Sequence, residues 1–231
     1  MAALVAHRGD AARFPENTVP ALRGALDAGA RWLECDVQLS RDRVPMLLHD
    51  GDLARTFDDP RSVFDLDADA LALLGVPTLK DAIALLGGFP DATLFVEIKQ
   101  ESIDRFGHDA IVGEVRSACE PAAARCVVIS FNAQAVGRAA RAGLRTGWVL
   151  SEWDDTARST AEALAPEFVF TNVKRVPAGA ALWPGTWRWV AYDAKTADDA
   201  LAIAARGFEL IETMDIKRLL ADPRIALWAA P

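Results

Sequence analysis

The chain has 231 residues, just over half of them apolar, so a sizeable core can form and global disorder is excluded. A net charge of −8 argues against a nucleic-acid partner or an anionic membrane surface, both of which need a basic footprint. Three cysteines, Cys35, Cys119 and Cys126, are odd in number and lack zinc spacing, which excludes a disulfide framework and a thiolate metal site; they read as small buried residues.

The opening run Met1-Ala2-Ala3-Leu4-Val5-Ala6 is too short for a signal-peptide core and no basic region precedes it. No stretch approaches the roughly 20 apolar residues of a membrane span. The expectation is therefore a soluble, cytoplasmic protein without stable membrane association. Residues 4–6 read as a first strand ending on His7-Arg8, and Asn17 or Thr18 is positioned to cap a helix over 19–28, with Pro20 in its first turn. A second strand over 32–37 places Glu34 and Asp36 on one face and Cys35 on the other. The next apolar run, 44–48, follows too closely for a helical crossover, so it reads as the return strand of a hairpin turning at Asp42-Arg43. Pairing Arg41 with Val44 then sets Asp36 opposite His49.

Residues 51–76 form an Asp-rich excursion expected over the face where the polar clusters gather. Thr78-Leu79-Lys80-Asp81 has capping-box form before a helix through Leu86, stopped by Gly87-Gly88. A strand over 93–98 carries Glu97, with Lys99 two residues on. Strands over 126–130, 145–150, 168–171, 189–192 and 209–211 follow, separated by helical spacing over 103–119, 133–142 and 197–205. His108 reads as a structural histidine on an exposed helix, and the Trp-rich stretch 183–189 as packing. Eight strands alternating with helices predict a single (β/α)8 barrel over 1–231, with a β-hairpin after strand 2 and an insertion at about 51–76; a doubly wound open sheet is the rival.

Each polar cluster ends an apolar strand, so acids, histidines and a lysine converge at one end of the barrel. Three carboxylates brought together without a cation would repel one another and take up protons. A hard divalent cation on oxygen ligands resolves this, which favours Mg²⁺ or Ca²⁺ at Glu34, Asp36 and Glu97. His7 and His49 offer a general acid and a general base, and Arg8 and Lys99 offer fixed positive charge for a phosphate. Together they suit phosphodiester cleavage, where both attacking and leaving oxygens need proton management.

These residues resemble the glycerophosphodiester phosphodiesterase family. The resemblance is carried by His7-Arg8-Gly9, a five-residue gap, Pro15-Glu16-Asn17-Thr18, Glu34-x-Asp36-Val37, His49-Asp50, Leu53-x-Arg55-Thr56, Pro77-Thr78-Leu79, Glu97-Ile98-Lys99 and Ser130-Phe131, in family order over the first 131 residues. It implies a (β/α)8 barrel that hydrolyses glycerophosphodiesters, a small-molecule substrate class, to glycerol 3-phosphate and an alcohol. It also implies metal binding by Glu34, Asp36 and Glu97, acid/base roles for His7 and His49, and substrate contacts from Arg8 and Lys99. Glu16 is a further candidate near the metal or the glycerol. Relatives suggest attack by the substrate's own 2-hydroxyl through a cyclic phosphate. Two strings depart from the family's pattern: Tyr192-Asp193-Ala194-Lys195 keeps only the aromatic, which is placed to pack against substrate, and Thr213-Met214 loses an acid. Those departures bear on substrate identity. A lysophospholipase D or sphingomyelinase D type activity would need an apolar entrance, for which 51–76 or 183–189 are the candidates. A catalytically silent binding protein on the same barrel is the third reading.

Overall fold

The computed structural model describes residues 2–226 and 228. Its strands in chain order are β1 (Ala3–Ala6), β2 (Trp32–Leu39), β3 (Pro45–Leu47), β4 (Asp52–Leu53), β5 (Asp59–Ser62), β6 (Thr93–Ile98), β7 (Cys126–Ser130), β8 (Arg145–Val149), β9 (Phe168–Asn172), β10 (Arg188–Tyr192) and β11 (Leu210–Thr213). β1 pairs in parallel with both β2 and β11, which closes β1, β2, β6, β7, β8, β9, β10 and β11 into an eight-stranded parallel ring. Helices fill the crossovers, so the expected (β/α)8 barrel is the observed one.

Each ring strand is apolar on both faces because both are covered. Outward residues such as Leu4, Cys35, Val96 and Val128 pack beneath the helices. Inward residues Val5, Phe95, Phe168 and Phe170 fill the lower half of the barrel, where the Phe95 ring meets those of Phe168 and Phe170 edge-on at 5.0 Å. Gly147 makes room for them: a Cβ there would lie 3.0 Å from Ile129 Cγ2 and 3.1 Å from the Phe170 ring. This plug confines polar chemistry to the C-terminal half. The three cysteines are free and buried, as composition suggested.

Local signals hold at most helix starts. Thr18 Oγ1 accepts from Ala21 N–H at the head of Val19–Asp27, and Thr78 with Asp81 forms the capping box of Leu79–Leu86. The long helical stretch over 103–119 is instead two helices, Gln100–Phe106 and His108–Cys119, because Gly107 adopts φ +81 and breaks the run.

The hairpin forms, but one residue out of the expected register. Val37 pairs with Leu47, Gln38 with Met46 and Leu39 with Pro45. Ser40 N–H donates to Val44 at 3.0 Å, leaving Arg41, Asp42 and Arg43 in the turn, with Arg43 at φ +64. A three-residue loop needs positive φ only at its last position, whereas the tight two-residue turn preferred in hairpins demands it at the first. Asp36 consequently faces Leu48, whose N–H donates to its carbonyl at 3.1 Å, and His49 lies beyond the ladder.

Beyond β1 the backbone turns sharply, with Arg8 at φ +56 and Gly9 at φ +83. A Cβ on Gly9 would sit 2.5 Å from the Ala21 carbonyl carbon. Gly9→Ala is therefore expected to cost about 2–4 kcal/mol in urea unfolding, strain and overpacking together. Gly29→Ala, at φ +98 with open space around it, isolates the strain and should cost clearly less. Equal losses would contradict the packing account.

Candidate active site at the C-terminal end of the barrel

The parallel register sets Asp36 of β2 beside Glu97 of β6, both inward, with Glu34 one inward step below Asp36. His7 and Lys99 follow directly beyond β1 and β6, and Tyr192 ends β10. His49 arrives from the loop after β3.

These groups form one linked network. Glu34 Oε2 accepts the Arg8 backbone N–H at 3.0 Å and lies 3.9 Å from His7 Nε2. Asp36 Oδ2 accepts from Asn17 Nδ2 at 2.8 Å and lies 3.0 Å from Arg8 Nε, while its Oδ1 is 3.2 Å from Lys99 Nζ. Lys99 Nζ also donates to Glu97 Oε1 at 2.8 Å. Glu16 Oε1 is shared by Arg8 Nη1 at 3.1 Å and Arg55 Nη2 at 2.7 Å. Arg55 Nε then donates to Asp50 Oδ2 at 2.6 Å, and Asp50 Oδ1 holds His49 Nδ1 at 2.6 Å.

Burial opposes the charge on Asp36, but Lys99, Arg8, His49 and the Asn17 hydrogen bond together outweigh it and bring its pKa down to about 2. Glu34 and Glu212 move the other way: burial, and then neighbouring carboxylates, hold both well above the ordinary range. Burial and the Asp36 charge also raise Glu97. The His7 imidazole is pushed down to about 4 by burial and the adjacent Arg8, so it is neutral at neutral pH. Burial takes the Tyr192 phenol up to about 12.

Oxygens of Glu34, Asp36 and Glu97 lie within 4.8 Å of one another, and Glu34 Oε1 is buried without a hydrogen-bond partner. An all-oxygen donor set of this kind fits a hard divalent cation. Because raised carboxyls hold protons in the cation-free site, binding must release them. Mg²⁺ affinity is thus expected to rise as pH climbs above the ordinary carboxyl range and to weaken as pH falls, Asp36 contributing nothing there because it is already ionised. Calorimetry in two buffers of different ionisation heat would read the released protons, and Glu34→Gln should reduce both affinity and release. Binding with no proton release at any pH at which the protein stays folded would contradict this.

His7, Arg8, His49, Glu97, Lys99 and Tyr192 all line one cavity of about 160 Å³. Glu34 and Asp36 lie buried beneath it, and Glu16 reaches it through Arg8. Every site residue singled out in the sequence is therefore in one network or on one wall. Four contributors were not: Asn17 as the amide that clamps Asp36, Asp50 as the partner of His49, Arg55 as the bridge from Asp50 to Glu16, and Glu212, 4% exposed on β11 and facing the same cavity. The two-residue step from Leu210 to Glu212 inside an apolar strand was the available signal. Among the described residues, neither 51–76 nor 183–189 lines the cavity. The first packs around its own cluster, including Met46, Leu53, Val63 and Leu71; in the second, Trp183 stacks on Trp153 at 4.0 Å. His108 bonds Asn132 Oδ1 at 3.1 Å, a structural contact. No helix of the described residues is long and apolar enough to cross a membrane.

The sequence model described as "Glycerophosphoryl diester phosphodiesterase family" matches residues 7–176. The chain is similar to a glycerophosphodiester phosphodiesterase of Caldanaerobacter subterraneus subsp. tengcongensis, 32% identical over 109 residues that cover 42% of this chain and 44% of that protein. It is also similar to human glycerophosphodiester phosphodiesterase 1, 31% identical over 110 residues, 41% of this chain and 33% of that one. The chain thus spans less than half the length of these curated relatives. Its fold matches an Oleispira antarctica phosphodiesterase solved in complex with the product sn-glycerol-3-phosphate, at TM-score 0.80, 20% identity and 95% coverage of both chains. It also matches a Thermotoga maritima glycerophosphodiester phosphodiesterase, at TM-score 0.76 and 19% identity over 95% of this chain and 97% of that one.

Proposed function

The chain belongs to the glycerophosphoryl diester phosphodiesterase family, and from that premise we propose that it is a phosphoric diester hydrolase, acting through this single barrel, that cleaves glycerophosphodiesters to glycerol 3-phosphate and an alcohol. The observation that carries the reading is the convergence of His7, His49, Arg8 and Lys99 on one cavity above three clustered carboxylates.

Glu34, Asp36 and Glu97 would hold one divalent cation, Mg²⁺ or Ca²⁺. When bound, it supplies positive charge against the negative charge that develops on the phosphate oxygens. Arg8 and Lys99 add fixed positive charge, and their ion pairs with Asp36 orient both toward the cavity. His7, neutral at neutral pH, is able to accept the proton of the glycerol 2-hydroxyl as that oxygen attacks phosphorus. His49, its Nδ1 held by Asp50, presents Nε2 to donate a proton to the leaving alcohol as the phosphorus–oxygen bond breaks. The resulting cyclic phosphate is opened by water with the two histidine roles exchanged. A substrate lacking the 2-hydroxyl should therefore be inert; full activity on it would sink internal attack.

The test is release of glycerol 3-phosphate from glycerophosphocholine with Mg²⁺, with Ca²⁺ and with chelator. Cation-dependent release that chelator abolishes is the expected result. Undiminished release in chelator would overturn the cation's role, and no release with either cation would overturn the reaction.

A further inference from the structure

The two-residue period that sets Glu34 and Asp36 on one face of β2 brings Gln38 next, near the end of the strand. Gln38 is 0% exposed and takes no part in the chemistry above. A buried amide needs partners at both its oxygen and its nitrogen. Ser102, equally buried near the start of the helix Gln100–Phe106, accepts the Leu39 N–H at 2.9 Å. Its one hydroxyl proton goes to Gln38 Oε1 at 2.5 Å. The amide is thereby oriented, with Nε2 turned toward two acceptors, the His49 carbonyl at 3.2 Å and Glu101 Oε2 at 3.3 Å.

The His49 ring is held by its chain neighbour: Nδ1 meets Asp50, which moves with the same loop. Arg55 braces Asp50 from outside, but its side chain is 49% exposed, so solvent screens those ion pairs. Two hydrogen bonds tie this part of the loop to β2. The Leu48 N–H donates to the Asp36 carbonyl, and Gln38 donates to the carbonyl of His49 itself. The first fixes the residue before His49; the second fixes His49. We propose that Gln38 is a positioning residue, whose amide, aimed by Ser102, clamps the His49 backbone and so sets how the imidazole enters the cavity. The assignment rests on the phosphodiesterase reading above, in which His49 protonates the leaving alcohol.

Gln38→Met keeps the length and burial of the side chain and removes the donor. It is expected to lower kcat on glycerophosphocholine by about 10–100-fold, the range of a reacting group displaced by about 1 Å. KM should hardly move, since Arg8, Lys99 and the carboxylates stay in place. In a His49→Ala background the same substitution should cost nothing further, because a residue that acts through His49 loses its effect with it. The chain has three histidines, His7, His49 and His108, whose imidazole signals are resolved by NMR. The His49 signals should shift in Gln38→Met, and those of His108 should not. Ser102→Ala, which frees the amide to turn, should show the same pattern at smaller amplitude. Wild-type kcat in folded Gln38→Met, or an equal loss in both backgrounds, would overturn the proposal. If Gln38→Met does not fold, Ser102→Ala decides, and unchanged kcat with unmoved His49 signals overturns it. If the wild-type protein cleaves no phosphodiester, the reaction falls and the NMR decides alone. A His49-specific shift in Gln38→Met would then still support the clamp, and its absence would overturn it.

Discussion

Replacing His49 with alanine is expected to lower glycerophosphodiester turnover by about 10²–10⁴-fold, the range of a lost general acid or base. The His49 imidazole reaches the cavity on a loop, held by one short contact from Nδ1 to Asp50, which Arg55 in turn braces against Glu16. Alanine removes the proton donor and keeps the loop, so the fall should appear in kcat with an unchanged unfolding midpoint. His7→Ala is expected to fall in the same range. The double variant should lose little beyond either single one, since groups that act in one proton-transfer sequence do not add. Asp50→Asn should cost less than His49→Ala, because it loosens the ring without deleting it. A His49→Ala protein within a few-fold of wild-type turnover would remove His49 from the chemistry.

Asp36→Ala is expected to destabilise the fold by about 3–5 kcal/mol, the cost of deleting one partner from a buried charge network. Asp36 is 1% exposed and bears on Arg8 and Lys99, whose side chains are only 13% and 11% exposed. The substitution would leave both cations poorly paired and the Asn17 amide without its acceptor. Asp36→Asn keeps the shape and an acceptor for Asn17, so it should cost measurably less. Urea unfolding of the cation-free proteins separates the two. Because the Asp36 pKa is depressed to about 2, its stabilisation is present above its ordinary pKa near 4 and lost as pH falls toward 2. A loss below about 1 kcal/mol for Asp36→Ala would mean that the network carries little of the fold's stability.

The ring strands and most crossover helices were legible because their signals are local. Strands over 93–98 and 126–130 coincide with β6 and β7, since an apolar run covered on both faces is bounded by the polar residues that end it. Thr78 and Asp81 mark a helix start because the cap needs only residues three apart. The hairpin register failed because it depends on the backbone angle of Arg43, which shifts every pair along the strand by one. His49 nonetheless reaches the site, since it lies past the ladder, where loop and side-chain contacts to Asp50 and Gln38 place it.

By itself the sequence determined the alternation of strands and helices, the residue types at the strand ends and the inward pairing of Glu34 with Asp36. All of these follow from two-residue strand periodicity and from caps of a few residues. Only the tertiary structure decided that Glu212 joins that site, that Asn17 clamps Asp36 and that Arg55 bridges Asp50 to Glu16. The Asn17–Asp36 and Arg55–Glu16 contacts join residues 19 and 39 positions apart, and Glu212 arrives on a strand from the opposite end of the chain, brought alongside when β11 closes against β1. Ring closure is a long-range event, and no local pattern announces which side chains it will bring together.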